Sequence, residues 1–299
     1  MLLALLLIPA ACTTVGSSTP AVGPGEVAVA VRSSAPPRPP HAQPAHIRPV
    51  PPHVGARSVL VANFDTGAVL YAKSAKARRP IASLTKIMTA MIVLRRTKPT
   101  DMVTASKRAT KQIPTKLGLK AGDRMEVHDL LYALMLHSSN DVAVALAQHV
   151  AGTVSAFDAV MTAKGLDIGL TDTWFASPSG LNDKGYSTAR DLAAMTQWAY
   201  QSPRFGAIVA TKRYTVTMPT GQRVRLHNLN ALLFDYPGAI GVKTGYTSES
   251  DWSLVAVAVR GHTRIMVVLL ADSKVPFEDG EALLDWGFAR ESSLMGRNR

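Results

Sequence analysis

The sequence predicts an α/β fold of the α+β type, in which an antiparallel sheet is flanked by helices and carries a helical lobe. Segments rich in β-formers lie at both ends of the globular part, whereas apolar helical segments occupy its middle. The chain has 299 residues, 47% of them hydrophobic, which is enough for one large domain or two small ones with a buried core. We therefore expect the first and last strands to pair and to close the domain.

Residues 1–12 have the pattern of an unusual export signal. An apolar run over 2–8 is followed by two alanines and Cys12, which resembles the end of a bacterial lipoprotein signal, where the cysteine carries the lipid. The run is too short to span a membrane, no basic residue precedes it, and Pro9 stands where an aliphatic residue is usual. An ordinary apolar N-terminus with an idle cysteine is the alternative. Cys12 is the only cysteine, so no internal disulfide forms.

Residues 13–57 are predicted to be an extended, disordered linker. Ten of the 19 prolines fall in this segment, including the run Pro36-Pro37-Arg38-Pro39-Pro40. Such a composition builds no core and favours a stiff spacer. We expect it to tether the following domain, so that any membrane contact passes through the N-terminal anchor.

The predicted domain covers residues 58–290. It opens with a β-hairpin over 59–72, turning at Asp65-Thr66-Gly67, and continues into a buried helix over 81–94. A polar stretch with one short strand fills 98–124. Four helices follow, over 127–136, 141–151, 153–170 and 187–200, with Asn140 or Asp141 as the cap of the second and a turn-rich loop over 177–186 before the fourth.

The C-terminal third is predicted to be β-structure closed by a helix. The predicted strands are 214–218, 223–226, 238–243, 252–260 and 263–271, and the last two form a hairpin at Gly261-His262. A final helix over 278–288 is followed by a short basic tail, 291–299.

The charge balance favours an anionic environment. Lys and Arg number 33 against 21 Asp and Glu, a net charge of +12. The basic residues are scattered, aromatics make up 6%, and no nucleic-acid motif is present, so we expect no nucleic-acid partner. The histidines at 41, 46 and 53 are too irregularly spaced to indicate a metal site, and we expect no metal or cofactor.

Ser83 and Lys86 form the first candidate pair for chemistry. They lie three residues apart at the start of the apolar helix that follows Pro80, so both point to the same side. Burial of the lysine lowers its pKa, and a neutral amine beside a hydroxyl is a base beside a nucleophile. Alternatively, Ser83 caps the helix and Lys86 reaches solvent along its flexible stem.

Two further polar clusters lie in positions where partners or a ligand are needed. Ser138-Ser139-Asn140 separates two apolar helices, and Lys243-Thr244-Gly245 ends a strand in which glycine leaves room for a substrate backbone. Taken singly, the first is explained equally well as a helix cap and the second as a strand-ending turn.

In this order, Ser-x-x-Lys, Ser-x-Asn and Lys-Thr-Gly form the motif set of penicillin-binding proteins and serine β-lactamases. The chain over about 58–290 resembles the low-molecular-weight D-alanyl-D-alanine carboxypeptidases, which implies a β-lactamase/transpeptidase-like fold. The matching segments are Ile81–Thr89, His137–Asp141, Gly180-Leu181 with Ser187–Leu192, His227–Asn230 and Gly241–Thr247.

The resemblance implies a role for each motif residue. Ser83 would attack the carbonyl between the two terminal D-alanines of a peptidoglycan stem peptide, and Lys86 would accept its proton. Ser138 would relay a proton to the departing D-alanine, and Asn140 would bind the substrate amide. Substrate binding would fall to the segment from Lys243 to Tyr246: Lys243 and Thr244 would hold the terminal carboxylate beside Gly245, and the Ser83 and Tyr246 N–H groups would form the oxyanion hole.

The same resemblance implies β-lactam antibiotics as inhibitors and an exported protein at the cell envelope, on the outer face of the cytoplasmic membrane or in the periplasm. A D,D-endopeptidase cuts the same kind of bond and stays open. A β-lactamase is disfavoured because the 177–186 loop holds no glutamate, and an inactive wall-binding domain because the motif residues are intact. The segment after Gly245, Tyr246–Ser250, departs from the family pattern and leaves the strand pairing there uncertain.

Overall fold

The computed structural model describes residues 49–272 and 276–295. The predicted export signal with Cys12 and residues 13–48 of the linker lie outside the described residues, as do residues 296–299 of the tail. These parts of the domain division therefore stay predictions.

A five-stranded sheet forms the centre of the fold. Its strands are β1 (Ser58–Asn63), β2 (Val69–Lys73), β7 (Ala239–Thr247), β8 (Asp251–Arg260) and β9 (Thr263–Asp272). Their order in the sheet is β2-β1-β9-β8-β7, and every neighbouring pair is antiparallel. The first strand pairs with the last from Ser58↔Leu270 to Asn63↔Ile265, which confirms the predicted closure.

Four short strands form two separate hairpins away from the main sheet. They are β3 (Met102–Thr104) with β4 (Arg124–Glu126), and β5 (Arg213–Thr217) with β6 (Arg223–His227). Side chains of β5 and β6 alternate between exposed and packed positions, so this hairpin has one dry face against the lobe.

Nine α-helices lie within the described ranges. They are α1 (Lys86–Arg96), α2 (Lys107–Thr110), α3 (Val127–Leu136), α4 (Asn140–Ala151), α5 (Val154–Asp167), α6 (Ala189–Ala199), α7 (Pro203–Ala210), α8 (Leu232–Asp235) and α9 (Pro276–Met295). The predictions contained none of α2, α7 and α8. Helices α2 and α8 are single turns, and α7 is capped by Ser202 and opened by Pro203.

Two predicted helix caps are wrong. Ser83 lies inside a 3₁₀ turn, Ala82–Thr85, that precedes α1, and its side chain makes no cap hydrogen bond. The N-cap position of α4 is Ser139, in extended backbone and without a side-chain cap hydrogen bond, rather than Asn140 or Asp141. Ser83 Oγ instead lies beside Lys86 Nζ, and the side chains of Asn140 and Asp141 make contacts with Lys86 and with the loop at residues 117–119.

The two faces of the sheet are covered by different parts of the chain. One face packs on the helical lobe through residues such as Leu60, Val257 and Val268, and the other packs on α9 through alternate residues such as Val61 and Val267. The packed region extends beyond residues 58 and 290, the predicted limits of the domain.

Upstream of Ser58, Val54 and Ala56 are buried against α9, and Trp286 Nε1 donates to the Pro49 carbonyl. Downstream, α9 continues past residue 290 to Met295. Both limits shift because the outer face of the sheet needs apolar cover, which these segments supply.

Within the described ranges, no single helix has the length and apolar character needed to cross a membrane; α4 and α5 pass that test only as a pair, bent by 83°.

Candidate active site

Ser83 and Lys86 lie at the junction between the 3₁₀ turn and α1. Lys86 Nζ is 2.8 Å from Ser83 Oγ, so the two side chains share one side of the turn as the spacing predicts. Ser83 is partly exposed, whereas Lys86 is fully buried. The alternative in which the lysine reaches solvent is therefore wrong for this structure.

Two further acceptors fix the lysine amine. Nζ lies 2.8 Å from Asn140 Oδ1 and 2.6 Å from the Ser179 carbonyl oxygen. Burial lowers the pKa of Lys86 well below 10.5, and the charge of Lys243 lowers it further. A neutral amine has two N–H donors and one lone pair, so donation to Asn140 and Ser179 leaves the lone pair for the Ser83 hydroxyl.

Two glycines allow other segments to approach this turn closely. A Cβ on Gly180, whose φ is +80°, would lie 1.8 Å from the Ala82 carbonyl oxygen. A Cβ on Gly245 would lie 3.1 Å from the Ser83 backbone nitrogen. Side chains at these two positions would push the loop and the strand away from the serine.

The Ser138–Asn140 segment is held by the loop that precedes β4. Thr115 Oγ1 donates to the Ser138 carbonyl at 3.0 Å, and Asn140 Nδ2 donates to the Ile113 carbonyl at 3.1 Å. The buried carboxylate of Asp141 accepts hydrogen bonds from the backbone N–H groups of residues 117, 118 and 119. Asp141 thus fixes the position of its neighbours Ser138 and Asn140.

Lys243, Thr244 and Gly245 lie on the edge strand β7. Lys243 is 2% exposed, its Nζ donates to the Thr244 carbonyl at 3.0 Å, and burial lowers its pKa to about 7. The ladder between β7 and β8 continues to Thr247↔Asp251, so the strand pairing that the sequence left uncertain is regular here. Tyr246 is exposed and its ring lies 4.8 Å from that of Trp252.

These elements enclose a cleft of about 250 Å³. Six of the eight predicted site residues line it, namely Ser83, Ser138, Asn140, Thr244, Gly245 and Tyr246, while Lys86 and Lys243 are buried behind its wall. The sequence did not predict the other lining residues, Pro114, Thr115, Leu181, Leu229 and Trp252. Of these, only Leu181 and Leu229 lie in sequence segments that resemble the carboxypeptidase family.

Comparisons with known proteins agree on the class that this fold and cleft define. Residues 45–274 match the D-alanyl-D-alanine carboxypeptidase family, peptidase family S11. The chain belongs to this family.

Relatives and solved structures cover the folded part of the chain. The D-alanyl-D-alanine carboxypeptidase of Streptomyces sp. strain K15 is 35% identical over 80% of this chain and 89% of its own length. DacF of Bacillus subtilis is 32% identical over 79% of this chain, which spans only 62% of that relative.

The crystal structure of the Streptomyces K15 DD-transpeptidase has a TM-score of 0.76 at 35% identity, covering 80% of this chain and 99% of its own. A D-alanyl-D-alanine carboxypeptidase structure from Mycobacterium tuberculosis has a TM-score of 0.77 at 32% identity, over 83% of this chain and 96% of its own. These neighbours agree with the predicted β-lactamase/transpeptidase-like fold.

Proposed function

We propose that this protein is a serine D-alanyl-D-alanine carboxypeptidase that removes the terminal D-alanine from peptidoglycan stem pentapeptides. The observation that carries the proposal is the buried Lys86 amine, with its lowered pKa, 2.8 Å from Ser83 Oγ. A base within hydrogen-bond reach of a partly exposed hydroxyl is the arrangement that nucleophilic catalysis needs.

In the acylation step, Ser83 Oγ attacks the carbonyl carbon between the two D-alanines, and its proton passes to Lys86. The backbone N–H groups of Ser83 and Tyr246 stabilise the oxyanion, an effect typically worth about 3 kcal/mol per donor. When the C–N bond breaks, Ser138 relays a proton to the departing D-alanine amine. Water then hydrolyses the ester and regenerates Ser83.

Substrate orientation depends on the polar groups around the cleft. Asn140 binds the substrate amide and holds Lys86 in place through its Oδ1. Lys243 and Thr244 bind the terminal carboxylate, which restores the proton on the buried Lys243 amine, and Gly245 leaves room for the substrate backbone against β7.

β-Lactam antibiotics present the same carbonyl and carboxylate and would acylate Ser83 as slow substrates.

We further propose that the protein is exported to the cell envelope, with Cys12 as a lipid anchor. The anchor follows from the sequence pattern alone. Detergent-phase partitioning of the native protein and of a Cys12→Ser variant in cells tests it.

The activity is tested by mass analysis of a diacetylated pentapeptide incubated with the protein. We expect release of D-alanine, inhibition by benzylpenicillin, and a single penicillin adduct on Ser83. Ser83→Ala should abolish both release and labelling. Ser139→Ala is the matched control, because the Ser139 hydroxyl makes no hydrogen bond within the described structure and does not line the cleft.

An adduct on any other residue would defeat the assignment. Fast turnover of a chromogenic cephalosporin would indicate a β-lactamase instead, and cleavage of cross-linked dimers in preference to pentapeptide would indicate an endopeptidase.

A further inference from the structure

The larger cavity of the helical lobe lies outside the candidate active site. It has a volume of about 590 Å³, compared with about 250 Å³ for the cleft at Ser83. It is bounded by α5 and by the segment from Trp174 to Ala176, and its walls are mostly apolar: Ala159, Ala163, Leu166, Trp174 and Phe175. Leu166 and Trp174 are 59% and 40% exposed, so the cavity is open to solvent.

Among the described residues, Asp158 is the one charged residue that lines this cavity. Its Oδ1 atom is buried and has no hydrogen-bond donor within the described structure. Burial raises the pKa of this carboxyl to about 6, while the charge of Arg108 lowers it. An unpaired buried carboxylate oxygen is unfavourable, and a positively charged donor entering the cavity would remove that cost.

A third cavity joins the Asp158 cavity to the candidate active site. It shares Asp158, Ala176 and Asn182 with the larger cavity, and it shares Leu181 with the cleft at Ser83. The three cavities therefore adjoin one another, and the direction from Ser83 past Leu181 leads toward Asp158. Arg108 lines the middle cavity together with Asp158, whereas it does not line the larger cavity, into which Asp158 also faces.

We propose that the Asp158 cavity is a substrate subsite that binds a primary ammonium group on an aliphatic side chain of the stem peptide. The methylene groups would pack on Ala159, Ala163 and Leu166, and the ammonium would donate to Asp158 Oδ1. The exposed Trp174 ring adds a face that attracts a cation. The proposal rests on the proposed carboxypeptidase function, because it identifies part of that same substrate.

Charge complementarity supports an amine rather than an acidic or neutral group. In the larger cavity Asp158 lies among apolar and uncharged polar residues, so the charge that lines this cavity is negative. A diamino acid in a stem peptide supplies an amine on a flexible aliphatic stem, and a compact ammonium suits one carboxylate oxygen.

Two pentapeptides that differ only in acetylation of the side-chain amine test the inference. The measurement is kcat/KM for D-alanine release. We expect the wild type to prefer the free amine, and Asp158→Asn to lower kcat/KM for that peptide by about tenfold while the value for the acetylated peptide stays within about twofold. Asp167→Asn is the control, because Asp167 lies on the same helix, pairs with Lys164 and is absent from the cavity wall.

A second variant, Trp174→Leu, guards against poor folding of the Asp158→Asn protein and should lower kcat/KM for the free amine peptide by about threefold. Equal kcat/KM for the two peptides in the wild type, or an equal loss on both in Asp158→Asn, would overturn the subsite. Absence of D-alanine release from either peptide in the wild type would refute the proposed function itself, and the subsite with it.

Discussion

Burying the Lys86 amine lowers the stability of the folded protein, and only its proposed role as a base explains why a lysine is present here. Between the lowered pKa of the folded protein and pH 10.5, the unfolded chain holds a proton on this amine, whereas the folded protein does not because burial disfavours the charge. The unfolded state therefore binds more protons, and this residue makes folding less favourable as the pH falls. An apolar side chain of similar length would avoid that cost.

Lys86→Met should accordingly slow acylation far more than it changes stability. We expect the rate of labelling by fluorescent penicillin to fall by at least ~10²-fold, the usual effect of losing a general base. The melting temperature should change little, because removing the buried amine offsets the loss of the donor to Asn140 Oδ1 and to the Ser179 carbonyl. Time-resolved labelling and thermal unfolding measure the two effects. Lys120→Met, at an exposed position, is the control. Unchanged acylation would show that another group takes the serine proton.

The pH dependence of substrate capture should depend on Lys243. Its pKa is about 7 in the free protein because it is buried, so above that pH the amine is mostly neutral and cannot attract a carboxylate. We expect kcat/KM to fall on the alkaline side from about pH 7. In Lys243→Arg the falling limb should move up by at least ~2 units, since the guanidinium keeps its charge. If the alkaline fall of kcat/KM stays at the same pH in Lys243→Arg, the titrating group is a residue other than Lys243.

At the scale of elements, the sequence predicted helices and strands wherever a long apolar pattern repeats. The ranges of α3, α4, α6, β8 and β9 match within about two residues. Helix α7 was not predicted because it is short, although Ser202 and Pro203 are a recognisable start. The start of α1 was misplaced because the 3₁₀ turn depends on the loop and strand that pack against it, which no local pattern records.

The same distinction applies to the candidate site. The three motifs predicted five of the residues that line the cleft and the two buried lysines, and the family resemblance added Tyr246. They did not predict Ser179, whose contribution is a backbone carbonyl and therefore independent of its side chain. Nor did they predict the role of Asp141, because its three hydrogen-bond donors come from a loop more than 20 residues away.

The loop containing Ser179 should be sensitive to a single added methyl group. Gly180→Ala would place a Cβ 1.8 Å from the Ala82 carbonyl, whereas Gly122→Ala, with a similar positive φ of 93°, meets nothing within 4 Å. Both variants carry the strain of a positive φ, about 1 kcal/mol, but only Gly180→Ala must also displace the loop.

We expect Gly180→Ala to lower the free energy of unfolding by several kcal/mol and to slow penicillin labelling more than tenfold. Gly122→Ala should lose about 1 kcal/mol and label normally. Denaturant unfolding and labelling rates distinguish the two. Equal effects of both variants would mean that backbone strain alone, rather than contact with the Ser83 turn, matters at residue 180.

At the scale of the whole molecule, the sheet separates the candidate chemistry from much of the stabilising core. The cleft lies where β7 meets the helical lobe, whereas α9 covers the opposite face together with residues 54 and 56. Contacts on that outer face do not touch Ser83, Lys86 or the loop at Ser179. Losses of stability there should therefore leave the geometry of the cleft intact.

Trp286→Ala tests this separation. The indole packs edge-on against Tyr71 at 5.9 Å and donates to the Pro49 carbonyl, so its removal leaves a cavity and frees the upstream segment. We expect a loss of about 3–5 kcal/mol in the free energy of unfolding, as for other buried aromatic residues, with the penicillin labelling rate at 25 °C within about twofold of the wild type. Trp198→Ala, which removes a half-buried indole that stacks with Arg95 on the lobe, is the comparison of equal size. Slower labelling by a folded Trp286→Ala protein would show that the outer face is coupled to the cleft through β8 and β9, because these strands connect α9 to β7.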